Sequence, residues 1–130
     1  MDQATFTLLD VSGFPIVRLD LEGRSGSHAA IWVREMEALL GHGRPFVLLV
    51  IGHHGDESPD DKKTKTVWLK TNREALVSVC RGFVSVEPDA ERRAALAAQG
   101  AQISKSFGLA LSVAATVEEA EGLARTLLGA

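Results

Sequence analysis

Six consecutive apolar residues, Phe46-Val47-Leu48-Leu49-Val50-Ile51, stand between Pro45 and Gly52. Their number and β-branched content read as a β-strand, and a strand apolar on every residue needs cover on both faces, which puts it inside a sheet. The next stretch is different in kind: His53, His54, Gly55, Asp56, Glu57, Ser58, Pro59, Asp60 and Asp61 include nothing that needs burial. Ligands of open α/β sheets settle beyond the carboxyl ends of parallel strands, so this loop stands where a site is expected.

The rest of the chain fits around that strand. Thr5–Val11 and Ile16–Leu21 read as two strands joined by Ser12-Gly13-Phe14-Pro15, a connection short enough to force an antiparallel hairpin. In the second of them Val17, Leu19 and Leu21 point one way and Ile16, Arg18, Asp20 and Glu22 the other. Ser27 is a candidate N-cap for a helix with the apolar stripe Ala29, Trp32, Val33, Met36, Leu39 and Leu40, which Gly41-His42-Gly43 ends. From Leu21 to Phe46 there is then room for a helical crossover to a parallel neighbour.

Pro59 and Asp60 open a second helix, expected as one rod of about 20 residues closed by Gly82, with a break near Thr71 as the alternative because Thr71-Asn72-Arg73-Glu74 reads as a capping box. Phe83–Val86 is a short fourth strand. Pro88-Asp89-Ala90 starts a third helix that turns Leu96, Ile103 and Phe107 inward, with Gly100 a weak point and Gly108 at its end. Leu109–Ala114 reads as a fifth strand, and Thr116-Val117-Glu118-Glu119 is a capping box before a last helix carrying Ala120, Leu123, Ala124 and Leu127.

The order is therefore ββαβαβαβα: one α/β domain over residues 1–130, with a single mixed five-stranded sheet, mostly parallel, and an antiparallel N-terminal edge strand. Leu109, Leu111 and Val113 alternate with Ala110, Ser112 and Ala114, and Val84 and Val86 with Phe83 and Ser85. One side of the sheet thus reads as apolar and the other as small or polar, so the helices are expected mainly on one face.

A chain of 130 residues, 45% hydrophobic and 24% charged, can close a core without disulfides or metal. The net charge of -3 argues against a nucleic-acid partner, and the densest basic cluster, Lys62, Lys63 and Lys65, comes directly after Asp60 and Asp61. Cys80 is the single cysteine, which excludes an intramolecular disulfide, suits a reducing compartment and, within an apolar periodicity, reads as a buried inert thiol. Met1–Thr5 lack the basic start and apolar core of a signal peptide, and no apolar run reaches the ~20 residues of a membrane span. A cytoplasmic protein is the expectation.

His53-His54-Gly55-Asp56-Glu57 has ligand types suited to a divalent ion, but neighbouring residues at a strand end point to opposite sides, so both imidazoles would not reach one ion. No Gly-x-Ser-x-Gly elbow or other nucleophile motif holds Ser58 for acid–base chemistry with the loop histidines. Gly23-Arg24-Ser25-Gly26-Ser27 leads from a strand into a helix and could cradle an anion, yet it carries neither the dinucleotide fingerprint nor a P-loop lysine and reads more simply as a turn and cap. His28 and His42 read as surface or helix-end residues. Trp32, Met36 and Trp68 lie on apolar helical faces, where they would form the core or the wall of a cavity for an apolar ligand.

The order of elements, with Thr66-Val67-Trp68-Leu69-Lys70, Phe107-Gly108 and the helix start Thr116-Val117-Glu118-Glu119-Ala120, resembles the STAS-like family, the sulfate-transporter and anti-sigma-factor-antagonist domain, whose relatives are grouped beside lipid-binding CRAL-TRIO domains. In the regulatory members a phosphorylatable serine lies in an Asp-Ser-x-Gly turn; here the matching turn is Asp56-Glu57-Ser58-Pro59, which departs from it on both sides of the serine. The resemblance implies a non-catalytic binding or regulatory domain for a protein partner or a small apolar or anionic ligand, without cofactor or resident metal. A homodimer through the less covered sheet face or an exposed helix is a further expectation. The candidate ligand-binding residues are His53, His54, Asp56, Ser58, Trp32, Met36 and Trp68, and no catalytic residue is assigned. The alternative is a small metal-binding protein or enzyme working through His53-His54-Gly55-Asp56-Glu57.

Overall fold

Strands that succeed one another in sequence also lie side by side in space here. The structure, a computed structural model, describes residues 6–21, 28–52 and 58–129. Its elements are β1 (Leu9–Asp10), β2 (Ile16–Asp20), α1 (Ala29–His42), β3 (Phe46–Ile51), α2 (Pro59–Thr71), α3 (Arg73–Val79), β4 (Cys80–Val86), α4 (Ala90–Phe107), β5 (Leu111–Ala114) and α5 (Val117–Leu127). The sheet order is β1-β2-β3-β4-β5, with β1 antiparallel to β2 and every other pair parallel. Because each crossover steps one strand in the same direction, crossovers of one hand set their helices on the same face.

The packing agrees with that rule. Trp32, Met36 and Leu39 of α1, Trp68 of α2 and Leu76 of α3 join Val17, Leu19, Phe46, Leu48 and Val50 in one apolar cluster, with Phe107 of α4 and Leu111 of β5 against it. Among the described residues, the opposite face is covered by α5, whose Ala120 and Ala124 lie on Val47, Leu49, Val84 and Ala114. The single α/β sheet with helices mainly on one face is thus as expected, and β3 is its central strand, with Phe46–Val50 buried on both faces. The assignment of the faces differs. Val84 and Val86 point to α5, whereas Leu111 points to the other helices, beside Phe83, its partner in register.

Several boundaries move for identifiable reasons. β1 is confined to Leu9–Asp10 because the amides of Thr7 and Leu8 bond to the Glu35 carboxylate instead of to β2; Thr5 lies outside the described residues. The second helical stretch is two helices, not one rod. Asn72 leaves helical geometry at φ -105° and ψ 19°, and its Nδ2 donates to the Trp68 carbonyl at 2.9 Å. The expected Thr71 cap does not form; the N-cap position of α3 is Asn72, without a side-chain bond. α3 ends at Val79, so Cys80 and Gly82 belong to β4, which is longer than the expected Phe83–Val86. β5 starts at Leu111 rather than Leu109.

Of the three α4 side chains expected to turn inward, Phe107 packs against the core and the other two do not. Leu96 and Ile103 are 38% and 49% exposed, and only Gly100 is buried. A Cβ at Gly100 would come within 3.3 Å of Leu111 Cβ, so α4 seats on β5 through glycine backbone, and the larger side chains fall on its flank. That close approach is the packing reason for the mid-helix glycine.

Helix ends obey the capping signals where a side chain is placed for it. Ser58 caps α2 by accepting from the Asp61 amide at 3.1 Å, and Thr116 caps α5 by accepting from the Glu119 amide at 3.2 Å. Glu119 reaches back one residue past the cap and accepts from the Ala115 amide at 3.2 Å. Thr116→Ala should lower stability by about 1 kcal/mol, read as a drop in urea midpoint at unchanged slope; an unmoved midpoint would show that the cap contributes nothing. The expected cap Ser27 lies outside the described residues, and the N-cap position of α1 is His28. No helix among the described residues is long and apolar enough to cross a membrane.

Candidate functional site

The carboxyl ends of β3, β4 and β5 converge on a cleft of about 480 Å³. Ile51, Val86, Pro88, Ala115 and Val117 form its apolar wall, and Gly52 lines it just beyond the end of β3. Glu87, Asp89, Arg92 and Thr116 supply its polar groups. Each wall is held from the backbone. The Glu87 amide extends the β4–β5 ladder to the Ala114 carbonyl at 2.8 Å. Arg93 donates to the carbonyls of Glu87 and Pro88 at 3.1 and 3.0 Å, which fixes the turn into α4. Asp89 caps α4 by accepting from the Arg92 amide at 2.9 Å.

Three charged side chains line the cleft, Glu87, Asp89 and Arg92. Glu87 is 4% exposed, and its Oε2 accepts from the Asp89 amide at 3.0 Å. Arg92 lies in the first turn of α4, which brings a guanidinium to the same space. The N-termini of α4 and α5 also meet there, since Asp89 and Thr116 are their caps. An apolar wall with a few placed polar groups is the usual make-up of a small-molecule site.

A second polar cluster sits between the starts of α1 and α2. The His28 amide donates to the buried Asp61 carboxylate at 3.3 Å, and Lys65 Nζ is 2.7 Å from His28 Nε2, which with a charged lysine is the acceptor. The Lys65 ammonium lies 5.7 Å from the centre of the Trp32 ring, and Trp32 meets Trp68 edge-on at 5.2 Å. The indole N–H of Trp68 donates to Glu37 at 3.1 Å. These contacts tie α1 to α2 above the core. Beside them runs an open groove of about 610 Å³ lined by Val33, Glu37, Val67 and Trp68 among others.

Of the residues singled out from sequence, His53, His54, Asp56 and Glu57 lie outside the described residues. Ser58 is the cap of α2, Met36 is fully buried in the core, and Trp32 and Trp68 are brought into contact. Trp68 lines the α1–α2 groove; Trp32 and Met36 do not. Among the described residues no three His, Cys, Asp or Glu side chains are grouped so as to hold a metal ion. Burial pushes the Cys80 thiol up to about 12, in keeping with an inert side chain. Iodoacetamide at mildly alkaline pH should therefore leave the native chain unmodified while labelling it fully in urea, as read by intact mass; equal rates would contradict the burial.

The cleft has no contiguous motif, because its residues come from three separate strand ends. Its one local signal is Glu87-Pro88-Asp89, an acid directly after a strand and before a helix cap. Compared with protein-family models, with curated proteins and with solved structures, the chain matches none.

Proposed function

We propose that this chain is a non-catalytic binding domain of STAS-like type, with its ligand site in the cleft at the carboxyl ends of β3, β4 and β5. The observation that carries this is the position of the cleft. It lies where open parallel sheets take their ligands, it is walled by apolar side chains, and its charged groups stand on rigid strand and helix ends. The cap and turn bonds of Thr116, Asp89 and Arg93 make it a preformed space, so a ligand would enter at small conformational cost. Support for the STAS-like type comes from the sequential strand order, with α1 to α4 on one face and a capped terminal helix on the other. In a regulatory domain of this kind, occupancy of the cleft would be what a protein partner senses.

The test is a thermal-shift screen of a fragment library of acids, amines and neutral apolar compounds against the wild-type chain and Ala115→Phe, which fills the cleft. Compounds that raise the wild-type melting temperature should lose that effect in the variant. Hits that stabilise both chains equally, or a library without hits, would refute the assignment.

A further inference from the structure

We infer that α4 is the contact surface for a second copy of this chain, the two α4 helices lying antiparallel about a two-fold axis beside Ala98. Among the 18 residues of α4 only Gly100 is buried, although alanine, leucine and isoleucine recur along its length. Helices in proteins draw most of their stability from packing an apolar face, and α4 has little such packing within the chain. The hydrogen bonds of β5 show which side of the helix is open. Phe83 and Glu87 donate to the Ala110 and Ala114 carbonyls, so by alternation the Leu111 amide points away from β4, to the outer edge of the sheet. That amide donates to Ser104 Oγ at 3.0 Å, which places the Ser104 side of α4 over the edge. Ala90, Ala94, Ala97 and Ala101 share that side at helical spacing, with Ala98 at its outer limit. Beside them, residues 107–116 carry no charge or proline, the usual guards of a strand edge against another chain.

Two charges bound this face. Glu91 and Lys105 stand at equal distances along the chain to either side of Ala98, and neither side chain meets a partner among the described residues. The other charges of α4 point elsewhere: Arg93 bonds the Glu87 and Pro88 carbonyls, and Arg92 lines the cleft. A two-fold axis at Ala98 therefore sets Glu91 of each copy against Lys105 of the other, and the same operation opposes the two helix dipoles. A parallel pairing would put like charges together at both ends. The alanines between the charges let the axes approach to the short end of the usual ~8–10 Å. One helix pair about 27 Å long buries less than the ~1,200 Å² of a stable complex, so the dimer forms reversibly and at high concentration.

Sedimentation equilibrium of the full chain from about 10 µM to about 1 mM should show the mean mass rising from one chain towards two. Ala98→Arg should abolish the rise. Glu91→Lys and Lys105→Glu should each weaken association by about tenfold. The double reversal restores opposite charges across the axis and should return the wild-type association constant. All three positions are exposed, and should Ala98→Arg fail to fold, the charge reversals decide the matter by themselves. A wild-type chain that stays single up to about 1 mM leaves α4 to a different partner and overturns the second copy. Association that Ala98→Arg leaves intact, that either single reversal leaves unweakened, or that continues beyond two chains would overturn the inference as well.

Discussion

Glu35→Ala will destabilise the fold by about 3–5 kcal/mol, although Glu35 touches neither the cleft nor the groove. The Glu35 side chain is 1% exposed and ties the N-terminal segment to α1. One carboxylate oxygen accepts from the amides of Leu8 and Leu9 at 3.0 and 2.8 Å, and the other from the amide and hydroxyl of Thr7 at 2.9 and 3.0 Å. Alanine leaves buried amides without an acceptor, each costing about 1–3 kcal/mol. Glu35→Gln keeps one acceptor oxygen but turns an NH₂ group toward amide donors, so a loss of about 2–3 kcal/mol is expected.

The same contacts set a pH dependence. Burial pushes the Glu35 carboxyl up, but the amides of Leu9, Thr7 and Leu8 and the Thr7 hydroxyl outweigh it and hold the group below its ordinary value. A depressed native pKa contributes stability that is fully present above the unfolded value of about 4.3 and is lost as pH falls through the native one. Asp10, held low by the hydroxyl and amide of Ser12, acts in the same direction. Comparison of wild type with Glu35→Gln isolates the Glu35 share: urea midpoints should differ most at neutral pH and converge in acid. A gap that stays constant down to strong acid would contradict the assignment.

Gly82→Val is the second large effect, about 2–5 kcal/mol from strain and overpacking together. Gly82 has φ 153°, a backbone conformation that L side chains rarely adopt. A Cβ there would lie 2.9 Å from the Ala110 carbonyl oxygen and 2.9 Å from Leu127 Cδ1. The first contact is with the backbone leading into β5, which cannot give without moving that strand, whereas the second is with the end of a flexible α5 side chain that turns aside at smaller cost. A drop in melting temperature of several degrees is expected, and a variant as stable as wild type would show that β4 and α5 pack less closely than described.

The contrast between these two residues and β3 explains what could be read without the structure. The apolar run of β3 and the stripe of α1 depend on sequence-local periodicity, and both elements lie where that periodicity puts them. Glu35 occupies the same stripe, between Trp32 and Leu39, and an acid on a buried helical face is the sequence signal of a buried carboxylate. Gly82 reads as a helix end because glycine is common there. Its reason is the approach of Ala110 and Leu127, from distant parts of the chain, which no local pattern encodes. The exposed Leu96 and Ile103 misled for a related reason, since α4 seats on Gly100 and leaves its largest apolar side chains on the flank. The two tryptophans, which read as core or as the wall of a cavity, meet edge-on and hold α1 against α2. Glu87, Arg92 and Thr116 meet only after three parallel strands are set in register, so the cleft had no signature of its own in the linear chain.

Whether a ligand sits in the cleft is decided most directly by an amide ¹H–¹⁵N correlation map of the full chain, titrated with pools of the fragment library. Resonances of Gly52, Glu87, Arg92, Thr116 and Val117 should move together and saturably, while those of Trp68 and Asn72 in the α1–α2 groove stay in place. Shifts centred on the groove, or none that saturate, would contradict the assignment of the cleft.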